Sequence, residues 1–139
     1  METLDLVVSV TSRRTIVSKY VTDPLLVSVM ALGDTLKGRV SVVQEVNDPT
    51  MPTTGVAVTA GRVAITDGLG VIYADASPVT IENGNDIVFT LNVAGNALTT
   101  AMTGVEYLAA MLEIRATVDG VDSIIANEAI TIAQAVTHP

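Results

Sequence analysis

The stretch MLEIRATVDGVDSIIAN, Met111 to Asn127, decides the fold class. Leu112, Ile114, Ala116 and Val118 fall on one face of an extended chain, and Glu113, Arg115 and Thr117 on the other. Such alternation marks a half-buried strand, because successive side chains of a pleated backbone point to opposite faces. Asp119-Gly120 then stands between Val118 and Val121. A two-residue type I′ turn needs residues tolerant of positive φ at those two places. The stretch reads as a strand, a tight turn and a returning strand.

The same grammar extends in both directions. In TLKGRVSVV, Leu36, Gly38, Val40 and Val42 face one way and Lys37, Arg39 and Ser41 the other. In DIVFTLNV, Ile87, Phe89, Leu91 and Val93 point inward and Val88, Thr90 and Asn92 outward. VAVTAGRVAITDGLGVIYAD reads as two strands around Asp67 to Gly70, with Val63 and Ile65 sharing a face. AITIAQAV places Ile130, Ile132 and Val136 in phase. Val46 to Gly55, with its two prolines, reads as a loop. Asn96 to Leu112 is Ala-rich and interrupted by Gly104. It reads as a loop with one helical turn capped by Asn96, then a strand from about Glu106. Seven to nine short strands with almost no helix predict an all-β protein. The expected form is an antiparallel β-sandwich, immunoglobulin-like or jelly-roll-like. Residues 1–22, with LDLVVSV and TIVSKYV, are expected to form an N-terminal strand or extended arm that belongs to or packs on the main domain. Residues 23–139 are expected to form the sandwich.

Composition narrows the function. A chain of 139 residues, 49% hydrophobic, is long enough to bury one core. Only 3% is aromatic, with Phe89 the single Phe, so the core must be built from Val, Ile, Leu and Ala. The net charge of −8 argues against nucleic acid and anionic membranes as partners, since both demand a basic face. With no cysteine, disulfides and thiolate metal sites are excluded. The start, METLDLVVSV, carries Glu2 and Asp5 where a signal peptide needs positive charge. The apolar run from Leu25, LLVSVMALG, falls well short of the roughly 20 residues a membrane helix needs.

No catalytic constellation emerges. The only histidine, His138, stands next to the end of the sequence, a poor place for an imidazole that must be held by a third group. GLGVIY lacks the third glycine of a dinucleotide fingerprint and is followed by no helix. The paired acids Glu82/Asp86, Asp119/Asp122, Glu106/Glu113 and Asp67/Asp75 mostly sit in turns, where Asp and Asn serve backbone conformation. No residue is assigned to catalysis or to a cofactor. One metal alternative has a chemical basis. Glu82, Asn83, Asn85 and Asp86 cluster oxygens around Gly84, as a calcium loop does. The spacing fails, however, because the sixth residue after Gly84 is Thr90, not Glu. The stretch also matches half of a β-roll repeat, with no second half in register. A turn that sets the register of Ile87, Phe89, Leu91 and Val93 is the preferred reading.

Several strands carry apolar residues on both faces: Val42-Val43, Ile87-Val88, Leu108 to Leu112 and Ile124-Ile125. Antiparallel sheets wetted on one side alternate cleanly, so the surplus points to an interface between copies.

GDTLKGRVSV, GRVAITDGLGVIY and EYLAAMLEIRATVDG followed by EAITI together resemble the small β-sandwich domains of tailed-phage virion proteins, of the upper-baseplate and fibre-attachment type. The resemblance spans Gly33 to Val136. Gly104-Val105-Glu106-Tyr107 is one residue longer than the corresponding Gly-x-Tyr spacing. The resemblance implies a non-enzymatic structural role in the virion, or in the host cytoplasm before assembly. It implies a trimer or larger ring that contacts other structural proteins. The alternative is a module that binds carbohydrate or protein through the loops Asn47 to Gly55 and Val93 to Gly104.

Overall fold

The computed structural model describes residues 2–20, 29–47, 50 and 52–134. They form eleven strands and one short helix in two sheets that share a single hydrophobic core. The chain is therefore an all-β sandwich, as its alternation predicts.

The first sheet has the order β2-β1-β4-β9-β8. Its strands are β1 (Glu2–Ser9), β2 (Arg14–Tyr20), β4 (Thr35–Glu45), β8 (Val79–Glu82) and β9 (Asp86–Asn92). A short β5 (Thr53–Gly55) adds to the far end of β4. The second sheet runs β3-β11-β10-β6-β7. It is made of β3 (Val29–Ala31), β6 (Ala60–Thr66), β7 (Ile72–Asp75), β10 (Tyr107–Val118) and β11 (Val121–Ala133). The alternating residues meet between the sheets. Leu36, Val40 and Val42 of β4, Ile87, Phe89 and Leu91 of β9, and Leu112, Ile114 and Ala116 of β10 are all at most 2% exposed. The β10–β11 turn is the expected one, with Asp119 at φ 51° and Gly120 at φ 78° between paired Val118 and Val121. Phe89 lies opposite Gly38 across β4 and β9. That glycine lets the ring lie flat on the neighbouring backbone, since a Cβ there would fall 2.6 Å from Phe89 Cε1.

Three expectations are corrected. Both sheets are mixed, not wholly antiparallel, because β1 runs parallel to β4 and β3 parallel to β11. Alternation carries no direction, and neither pair is joined by a tight turn that would force an antiparallel return. The strands exceed seven to nine because β3, β5 and β8 have only three or four residues, too few to show a period. One of them, β5, lies inside the stretch read as a loop. The helix α1 (Asn96–Ala101) is capped by Gly95, not Asn96, and no side chain caps it. Gly95 sits at φ 139°, a conformation that side chains rarely adopt, so the chain turns into the helix one residue early. The helix packs beside β7 and buries Leu98, and its C-cap Met102 is buried too. Of the two forms expected for the N-terminal segment, an arm or a strand of the main domain, the described residues form strands. Its β1 lies between β2 and β4, with Leu4, Leu6 and Val8 all 0% exposed. Val136 and His138 lie outside the described residues.

Candidate interaction surface

The polar cluster that opened the metal question is a turn. Glu82 pairs with Asp86 across the β8–β9 hairpin, with Asn83 at φ 54° and Gly84 at φ 75°. Two of its carbonyls are committed to other segments of the same chain. Val58 N–H donates to the Gly84 carbonyl at 2.8 Å, and Val42 N–H to that of Asn85 at 3.0 Å. Arg39, on the same outer face, donates to Asp86 Oδ2 at 2.6 Å and reaches Glu82 Oε1 at 3.8 Å. A guanidinium is thus bound to one of the carboxylates and close to the other that a calcium ion would use. Among the described residues no group of three or more His, Asp or Glu side chains is placed to hold a metal. Calcium is accordingly expected to leave the melting temperature unchanged. Asp86→Asn is expected to cost about 1 kcal/mol or less, a loss that shrinks in high salt. Thermal melts at low and high salt, with and without calcium, check both outcomes.

Four of the other paired acids, Asp67, Asp75, Glu113 and Asp122, are also occupied. Asp67 Oδ1 accepts from Leu69 N–H at 2.7 Å and from Val71 N–H at 3.0 Å, which shapes the β6–β7 loop. Asp75 takes a two-bonded contact from Arg62, at 2.8 and 3.2 Å. This hydrogen bond is the main reason the Arg62 pKa is held above its ordinary value, against desolvation and with help from the charges of Asp75, Glu113 and Asp122. Arg115 approaches Glu113 at 3.3 Å and Asp122 at 3.8 Å. These five residues give the outer face of β6 and β10 a charged half, near the Asp119-Gly120 turn.

The other half of that face is apolar. Outward-facing residues are opposed in rows: Tyr107 with Ala133 and Ala31, Ala109 with Thr131, Met111 with Ala129. Their small side chains leave a shallow hollow of about 380 Å³, floored by Ala109, Met111, Ala129 and Thr131, with Asp67 at its rim. The β6–β7 loop stands beside it. Leu69 is 91% exposed there, followed by Val71 and Ile72, and Tyr107 is 61% exposed. A Cβ on Gly68 would lie 3.2 Å from Met111 Cγ, so the loop leans directly on the edge of the hollow.

The apolar surplus seen in the sequence divides accordingly. Val43, 8% exposed, is flanked by β5 and by Val10, whose amide donates to its carbonyl. Ile125 is a bulge residue. Ile114 pairs with Ala126 and Arg115 with Ile124, which turns Ile125 and Ala126 both into the core. The surplus on β10 remains outside. Leu69 carries no such signal in the sequence, since a leucine in an Asp-Gly turn reads as hairpin punctuation.

The two loops considered for ligand binding do not converge. β5, in the first, pairs with Val43 to Glu45 at one end of β4. The second follows Asn92, which pairs with Thr35 at the other end. Along eleven residues of strand the ends lie roughly 30 Å apart. No family model matches the chain, and no curated protein matches it. Among the described residues no helix is long and apolar enough to cross a membrane.

Proposed function

We propose that the chain is a non-enzymatic structural protein that assembles with copies of itself, as a component of a tailed-phage virion or a related particle. The observation that carries the reading is the apolar half-face around Tyr107, Ala109, Met111, Ala129 and Leu69. Among the described residues the core between the sheets closes without it, and Tyr107, Ala109, Ala129 and Leu69 stay exposed. Contiguous apolar surface of this kind is where soluble proteins meet other proteins. The resemblance to virion sandwich domains supplies the setting, with other structural proteins of the particle as further partners. Asp67, Asp75, Asp86 and Glu113, engaged by arginines or by backbone amides, fit a structural role better than acid–base chemistry.

Light scattering after gel filtration tests the reading. The mass is expected to exceed one chain and to rise with concentration. A mass of one chain at every concentration up to the solubility limit would remove self-association from the proposal.

A further inference from the structure

We infer that the apolar half-face is a two-fold contact between copies, in which Leu69 of one chain enters the β10–β11 hollow of the other. The inference rests on the self-association proposed above and specifies its surface and symmetry.

Shape is the first argument. A two-fold interface uses one patch on both partners, so the patch must carry both a projection and the recess that receives it. Leu69, 91% exposed at a loop tip, is the projection. The hollow floored by Ala109, Met111, Ala129 and Thr131 is the recess, and Gly68 against Met111 places the two side by side. An axis between them would seat both leucines at once.

Charge selects the occupant. Each copy carries −8, so two copies repel over most of their surface. The hollow has one acid at its rim, Asp67, and its carboxylate is already held by two backbone amides. An axis through the apolar half carries the cluster of Arg62, Asp75, Glu113, Arg115 and Asp122 away from the contact on both chains. A strongly basic partner would gain nothing from this patch, whereas a like-charged copy meets least repulsion there.

Area sets the strength. The half-face spans β3, β11 and β10 and the five residues Tyr107 to Met111 along β10, roughly 10 by 14 Å between backbone centres, to which the β6–β7 loop adds Leu69 and Val71 and the start of β7 adds Ile72. This is less than the about 800 Å² that each partner gives to a stable complex. An interface of this size belongs to the weak, transient class, so association is expected to follow concentration. A trimer or larger ring would need a second surface.

Sedimentation of Leu69→Asp and Ala129→Asp beside the unaltered protein tests this. Both positions face solvent in the single chain, so melting temperature and β-sheet circular dichroism should stay within the range of the parent. Each change is expected to weaken association by tenfold or more, the effect of one lost apolar contact made charged. The absence of native cysteine allows a direct check. Leu69→Cys chains mixed with Ala129→Cys chains should form a disulfide between different chains faster than either variant alone. If the parent associates while both charged variants keep its mass, this surface is wrong and self-association stands. If the parent is one chain at every concentration, both fall together. If cross-linking is no faster in the mixture than in the separate variants, the two-fold arrangement is overturned.

Discussion

Removing residues 1–20 is expected to abolish folding, not merely to trim an edge. β1 lies between β2 and β4 and pairs with β4 from Glu2 opposite Leu36 to Ser9 opposite Val43. Leu4, Leu6 and Val8 are fully buried in the shared core. Burying each is worth about 1.5–3 kcal/mol, so the three together reach on the order of 5–9 kcal/mol. A domain of this size has a total stability of about 5–15 kcal/mol. The loss therefore matches most of what holds the native state together, before the open hydrogen-bonding side of β4 is counted. Circular dichroism and urea titration should show no cooperative transition in the truncated chain. The milder Leu6→Ala should keep the transition but lose about 2–5 kcal/mol. A truncated chain that still unfolds cooperatively with only a small loss would show that the hairpin is an appendage after all.

This role for β1 illustrates what the sequence can and cannot carry. LDLVVSV announces a strand, because alternation depends only on which face is wet. It does not announce a direction or a neighbour. Those follow from a pairing between residues more than thirty positions apart, with no tight turn between them to fix the geometry. By contrast β10 and β11 are legible to the residue, since Asp119-Gly120 fixes both register and direction locally. The strands β3, β5 and β8 are too short to show a period; packing against longer neighbours creates them. Ile124-Ile125 looked two-faced because one bulged residue reverses the phase, and a bulge leaves no mark in a binary pattern. The candidate surface was half legible. Apolar residues on the outer face of β10 pointed to it. The placing of Leu69 beside them depends on the approach of Gly68 to Met111, more than forty residues away.

Gly38 and Phe89 give the sharpest test of how the core is packed. Gly38→Ala is expected to destabilise the protein, although glycine in a strand is ordinarily a liability. Two effects compete. Replacing Gly by Ala restricts the unfolded chain and by itself would stabilise by about 0.4–1 kcal/mol. Here, however, the new methyl would lie 2.6 Å from Cε1 and 2.9 Å from Cε2 of Phe89, a ring only 2% exposed and enclosed by the core. Overpacking of this kind costs about 1–3 kcal/mol, so it outweighs the entropic gain. Phe89→Ala is expected to cost about 3–5 kcal/mol, because it removes the only phenylalanine and leaves a cavity between the sheets. At roughly 3 °C per kcal/mol for a chain of this length, that lowers the melting temperature by about 10 °C or more. The double variant decides between mechanisms. If Gly38 exists to admit the ring, removing the ring relieves the clash, and the added methyl fills part of the vacated space. Gly38→Ala/Phe89→Ala should then cost less than the sum of the single changes, with a coupling of about 1–2 kcal/mol in urea unfolding. Strict additivity would mean that the glycine serves the backbone of β4 and not the ring, and the packing argument for this pair would fail.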